Sequence, residues 1–155
     1  MGVAGMSNPS VAAYGSISSL DENLAAQIVD VLVAAIAARG EASLVVSGGS
    51  SPIGFFQCLS RFDIAWQRVS IWLADERWVG AQDAQSNEKL VHTHLLQNFA
   101  AKARFMPLAG EHFSSGASAE QAALGLQQTH QHQSAFDLVI LGMGLDAHTA
   151  SLFPG

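Results

Sequence analysis

The chain has 155 residues, enough to bury the core of one domain, and 1–155 reads as a single unit. Hydrophobic residues make up 49% and charged residues only 13%, which excludes an intrinsically disordered chain. The formal net charge is −6 and the seven Lys and Arg residues form no cluster or stripe, which argues against nucleic-acid binding.

In chain order, Met1 to Ser7 lack the basic start and apolar core of a signal peptide, and Met6 breaks the myristoylation pattern. Residues 1–15 are small and polar and are expected to be flexible. Ser19-Leu20-Asp21-Glu22 reads as a capping box opening a helix, with Leu24, Ile28, Val31, Leu32 and Ala35 at helical spacing and Gly40 as its stop. Within it, the apolar run from Ile28 to Ala38 is interrupted by Asp30 and is too short to span a bilayer. Ala42 to Ser47 predicts a strand, followed by Gly48-Gly49-Ser50-Ser51-Pro52. Pro52 suits the first turn of a second helix capped by Ser51, with Phe55, Phe56 and Leu59 turned inward. Cys58 in that helix reads as a small buried hydrophobe; being the only cysteine, it points to a reducing, cytoplasmic setting.

Val69 to Ala74 predicts the next strand and ends in Asp75-Glu76-Arg77. Ser86 or Asn87 then caps a helix expected to reach about Phe99. Arg104 to Leu108 fits a short strand, confined by Pro107 to an edge or an end. Ser118-Ala119-Glu120-Gln121 is a second capping box, opening a helix through about Gln131. Phe136 to Leu141 is a near-continuous apolar run of the kind a buried parallel strand needs. Strands alternating with helices imply right-handed βαβ units: an α/β fold whose mostly parallel, Rossmann-like sheet is covered on both faces.

Three strands therefore end in three unusual loops: Ser47-Gly48-Gly49-Ser50-Ser51, Asp75-Glu76-Arg77, and Gly142-Met143-Gly144-Leu145-Asp146-Ala147-His148. Taken singly, a Gly-Gly turn is often only tight geometry, an Asp-Glu-Arg loop is commonly solvated, and loop histidines are mostly structural. In a parallel sheet, however, all three loops lie along the carboxyl edge, where ligands of open α/β sheets bind. Backbone N–H groups of a Gly-rich loop can approach an anion there, while Asp and His supply proton transfer.

Ser47 to Pro52, then Asp75-Glu76-Arg77-Trp78-Val79 with Ser86-Asn87, then Leu141 to Gly144 running into Asp146-Ala147-His148-Thr149-Ala150-Ser151-Leu152-Phe153-Pro154, resemble the 6-phosphogluconolactonases. The resemblance runs from about residue 20 to the end. The first two blocks are shared with the related glucosamine-6-phosphate deaminases, which continue past the histidine into an acidic Asn-Glu-Pro segment. Here Ser151-Leu152-Phe153-Pro154 stands in its place, without a carboxylate to work on a ring-opened sugar. The resemblance implies a three-layer α/β/α domain, incomplete at its C-terminus, that hydrolyses 6-phosphogluconolactone to 6-phosphogluconate in the pentose phosphate pathway. It implies no metal and no organic cofactor. The alternatives are a 6-phosphosugar isomerase or deaminase of the same superfamily, and a non-catalytic phosphosugar-binding remnant.

On that reading His148 is the general base on water, and Asp146 or Asp75 orients its imidazole. The backbone of Gly48, Gly49, Ser50 and Ser51 cradles phosphate at a strand-to-helix turn, with Gly142 and Gly144 in the last loop completing the substrate site. Arg77 contacts the phosphate or the developing oxyanion, and it is the only cation in a site-like position. The chain departs from the family pattern in three places. Ala147 stands where the family usually has glycine; if φ is positive there, alanine costs on the order of 1 kcal/mol and can displace His148. Gly80 replaces a proline. Family members also continue well beyond the Leu-Phe-Pro motif, so the strand from Phe136 to Leu141 is expected to leave an edge or face uncovered and to drive self-association.

The other candidates have plainer readings. His92 and His94, like His130 and His132, are two apart; on a helix they point to nearly opposite sides and cannot chelate one ion. Trp66, Trp72 and Trp78 are accounted for by packing around the second strand. No membrane partner is expected; the resemblance implies a small phosphorylated sugar lactone as the partner.

Overall fold

The computed structural model describes residues 10–130 and 135–154. Helix α1 (Ile17–Arg39) leads into strand β1 (Ala42–Val46) and helix α2 (Ile53–Leu59). Strand β2 (Val69–Leu73), helix α3 (Asn87–His94), strand β3 (Arg104–Met106), helices α4 (Gly110–Ser114) and α5 (Ala119–His130), and strand β4 (Leu138–Ile140) follow. The strands form one sheet in the order β3-β2-β1-β4, and every pairing is parallel.

Side-chain alternation along the strands separates two faces. Leu44, Val46, Val69, Ile71 and Leu73 project to the face covered by Ala25, Ile28, Leu32 and Ala35 of α1 and by Phe55, Phe56 and Leu59 of α2. Val91 of α3 and Trp66 complete that core, and Trp66 satisfies its indole N–H on the Phe62 carbonyl at 2.8 Å. On the other face, Met106, Trp72, Val45 and Val139 lie in one row across the sheet. Trp72 and Val45 are buried, whereas Val139 on the outer strand is 46% exposed.

β2 and β3 extend the sheet to one side of β1, and β4 returns to the other. Under the right-handed crossover rule this reversal sends the connection carrying α5 over the opposite face. It also opens a crevice between the carboxyl ends of β1 and β4, the switch point where such sheets take ligands. A polar pin holds the opposite ends of these strands in register. The Asp137 carboxylate accepts from the backbone N–H of Ser43 at 2.8 Å and from its hydroxyl at 3.0 Å, and pairs with Arg39 from the end of α1.

Several boundaries differ from the sequence expectation, each for a local reason. The capping box of α1 lies one turn earlier: Ser16 is the cap, and its hydroxyl and that of Ser19 exchange hydrogen bonds with each other's backbone N–H. Ser51 does not cap α2, because Pro52 occupies the cap position and makes no side-chain cap bond. Helix α3 stops at His94 and not near Phe99. There the chain turns towards the end of α2, where the Ser60 carbonyl accepts from Phe99 N–H and Ala100 N–H and the Asn98 amide donates to the Ser60 hydroxyl. The β4 ladder spans Leu138–Ile140 only, and Phe136 packs edge-on against Trp72. The Gly40 cap, the Ser118–Gln121 capping box and the edge position of β3 are as expected. Of the residues expected to be flexible, 1–9 fall outside the described part, as do Gln131 and His132. No described helix is long and apolar enough to cross a membrane.

Candidate active site

A cleft of about 440 Å³ lies at the carboxyl edge of the sheet. Its lining includes Ser47, Gly48, Gly49, Ser50 and Ser51 after β1, Asp75 and Arg77 after β2, and Gly142, Gly144 and His148 after β4. The three loops singled out in the sequence thus converge on one space. Asp146 stands outside the lining and reaches the cleft through its contact with His148.

The second loop is built around the Glu76 carboxylate. Glu76 accepts from the N–H of Asn87 at 2.8 Å, the N–H of Glu88 at 2.8 Å and the hydroxyl of Ser86 at 3.1 Å. These are orphan donors of the first turn of α3, where a negative charge also opposes the helix dipole favourably. Ser86 caps the same turn through Lys89 N–H. Asn87, buried at 3% exposure, is thereby fixed beneath the first loop. Its amide donates to the Asp75 carbonyl at 3.0 Å and to the Asp75 carboxylate at 3.4 Å. A Cβ on Gly48 would lie 1.7 Å from Asn87 Oδ1, so glycine is required there by the close approach of that side chain.

Asp75 thus meets Asn87 on one side while lining the cleft on the other. Its remaining carboxylate oxygen accepts from the Ser151 hydroxyl at 2.6 Å, which links the second loop to the third. Arg77 is exposed, donates to the Gln85 carbonyl at 3.4 Å, and forms no ion pair among the described residues. No other Lys or Arg lines the cleft among those residues.

In the third loop His148 Nδ1 meets the Asp146 carboxylate, which also accepts from His148 N–H at 3.4 Å. These two hydrogen bonds, the side-chain one foremost, hold the Asp146 carboxyl below the usual carboxylate range. The contact therefore outlasts a fall in pH that protonates ordinary carboxylates. Phe153 stacks on the imidazole with ring centroids 5.0 Å apart. Gly144 donates to the His148 carbonyl at 2.8 Å, and a Cβ there would meet the imidazole at 2.2 Å, so a larger residue would displace the ring from this position. Ala147 has φ +65°, meeting the condition under which alanine is strained.

The remaining residues carry no such geometry. His92 lies edge-on to Phe105, while His94 reaches towards Gln57. Among the described residues no three His, Cys, Asp or Glu side chains gather to hold a metal ion. Cys58 is half-buried, and burial first, then the nearby Asp21 and Glu22 carboxylates, push its thiol up, which disfavours the nucleophilic thiolate.

Residues 16–155 match the family model of glucosamine-6-phosphate isomerases and 6-phosphogluconolactonases. The chain belongs to this family. It is 46% identical over 142 residues to a 6-phosphogluconolactonase of Pseudomonas aeruginosa and 48% identical over 139 residues to one of Rhizobium meliloti. These alignments cover 91% and 89% of the chain but 58% of each relative, so the chain spans a little over half their length. The crystal structure of a 6-phosphogluconolactonase from Shewanella baltica superposes with a TM-score of 0.78 at 48% identity, covering 89% of this chain and 58% of the other. A Trypanosoma brucei 6-phosphogluconolactonase reaches 0.79 at 22% identity, covering 96% and 64%, and shows that the α/β fold is kept at low identity.

Sequence reasoning missed Glu76, Asn87 and Ser151 as parts of the site. Asn87 was visible as a helix cap and, like Glu76 and Ser151, as part of a motif, without a role in the site. Their signal is non-local, since a carboxylate caps a helix ten residues away and a serine reaches a residue 76 positions back.

Proposed function

We propose that the chain hydrolyses 6-phosphogluconolactone to 6-phosphogluconate, and does so in the cytoplasm. The observation that carries this reading is His148 at the cleft with Nδ1 held by Asp146, an arrangement that favours one tautomer and leaves Nε2 for a reactant. Water attacks the lactone carbonyl as Nε2 takes its proton. The tetrahedral intermediate then collapses, the carbonyl carbon to ring-oxygen bond breaks, and the imidazolium returns the proton to that oxygen. Asp146 orients the ring and offsets the imidazolium charge. Asp75, whose carboxylate is engaged by Asn87 and Ser151, holds the loops together. Arg77 faces the substrate's phosphate or the oxyanion, and the backbone of Gly48 to Ser51, with Gly142 and Gly144, lines the phosphate end. Helix α2 has only seven residues, so the first loop's own N–H groups serve the anion more than the helix does. The 6-phosphosugar deaminase reading lacks a carboxylate after His148, and the similar proteins named above are lactonases.

The test is lactone hydrolysis above the spontaneous rate by this chain, beside His148→Ala. A loss of about 10²-fold or more in turnover is expected for that variant. Turnover unchanged by it rejects the base, and a folded wild-type chain without turnover supports a phosphosugar-binding remnant instead.

A second proposal concerns assembly. Val139 in β4 and Leu141, Met143, Leu152 and Phe153 in the segment after it are 46%, 53%, 80%, 74% and 69% exposed. Such a cluster favours association between copies of the chain. Light scattering should report a mass above that of the monomer at high protein concentration; a monomer at every concentration rejects it.

A further inference from the structure

Residues 141–154 carry His148, yet their hydrogen bonds are almost all internal. Gly144 and Ala147 close one turn, Thr149 and Leu152 bridge each other, and the Thr149 hydroxyl returns to the Gly142 carbonyl at 2.7 Å. Among the described residues, one hydrogen bond ties the segment to another part of the chain, from the Ser151 hydroxyl to the Asp75 carboxylate at 2.6 Å. The receiving group is well anchored. Asp75 is held by Asn87, Asn87 N–H is held by Glu76, and Glu76 grips the first turn of α3. A charge-assisted bond of this length fixes direction as well as distance. Ser151 is three residues from His148, and the turn between them contains Ala150 at φ +48°, so the serine's position constrains the imidazole's.

We propose that Ser151 is a positioning residue, a latch that docks the histidine loop onto the Glu76–Asn87–Asp75 scaffold and so fixes His148 at the cleft. Its catalytic consequence rests on the lactonase reading above. Its structural consequence does not, which lets the two be separated. Without the latch the loop keeps its internal turns but samples orientations in which Nε2 points away from the substrate. Binding contacts made by the first two loops remain and only those of Gly142 and Gly144 loosen with the segment, so kcat falls more than KM rises.

The experiment compares the intact chain with Ser151→Ala and Ser151→Thr, the latter retaining the hydroxyl. Amide hydrogen exchange across residues 142–153 should accelerate about fivefold in the alanine variant, with exchange in α1 and β1 unchanged, and return to the wild-type rate with threonine. Lactone turnover should follow, with kcat lower by about tenfold, KM within about twofold, and recovery in Ser151→Thr. Exchange in Ser151→Ala equal to wild type overturns the latch. So does kcat equal to wild type with the loop demonstrably loosened, and so does a threonine variant that remains as loose as alanine. A wild-type chain with no turnover rejects the lactonase reading instead, and the exchange measurement then decides the latch alone.

Discussion

Two of the three loops that line the cleft, those after β2 and β4, are built on opposite plans. Around Asp75, Glu76 and Asn87 the polar groups meet partners, Asn87 is buried, and a helix terminus is capped by a carboxylate from outside it. Around His148 the segment exposes Leu145 fully and Met143 at 80%, and among the described residues one hydrogen bond leaves it. Two of the three non-glycine residues with positive φ among those described, Ala147 and Ala150, flank the catalytic candidate. The first region is a scaffold whose rigidity comes from satisfied buried groups. The second carries the proposed proton-transfer residue and borrows its orientation from the first. A site so divided places its stability in one loop and its chemistry in another, in line with functional groups being drawn from the less stable parts of a fold.

The contrast is broken most directly by Gly48→Ala. The new Cβ cannot share space with the Asn87 amide, which must leave Asp75 and be stranded in a buried site. The expected loss is about 2–3 kcal/mol of unfolding free energy, read as a lower urea midpoint at unchanged m. Met143→Ser, in the exposed loop, should shift the same midpoint by no more than about 0.5 kcal/mol. Equal losses in the two variants would show that the loops are not organised as described.

This division also explains what the sequence disclosed. The strands, the Gly40 stop and the Ser118–Gln121 box are written in local spacing and local chemistry, and they were legible. The convergence of Gly48, Asp75, Arg77 and His148 followed from parallel strands alone, because every such loop must leave the same edge. The Glu76 cap was invisible, since a carboxylate ten residues before a helix has no periodic signature. The shift of the first cap from Ser19 to Ser16 is instructive in the other direction: Ser19 does belong to a capping box, but as its third helical residue, and a Ser-x-x-Glu pattern drew the boundary one turn too late. The early end of α3 depends on the Ser60 carbonyl, contributed by another helix end.

Ala147→Gly sharpens the comparison with a smaller effect. A left-handed alanine is strained by about 1–2 kcal/mol, and glycine relieves this while surrendering some unfolded-state entropy, for a net gain of about 1 kcal/mol. Where that gain appears depends on how firmly the loop is attached. If the latch couples 141–154 to the scaffold, relief of strain is felt in global unfolding, and the melting temperature rises by about 2–4 °C. In Ser151→Ala the same glycine should act within a loop that already opens on its own, leaving the melting temperature unmoved and slowing only local amide exchange. The two substitutions are four residues apart in adjoining turns of one loop, so they should be non-additive. A melting-temperature gain from Ala147→Gly that is the same with and without Ser151 would mean that the loop is anchored by its own packing, and that the scaffold around Asp75 does not govern it.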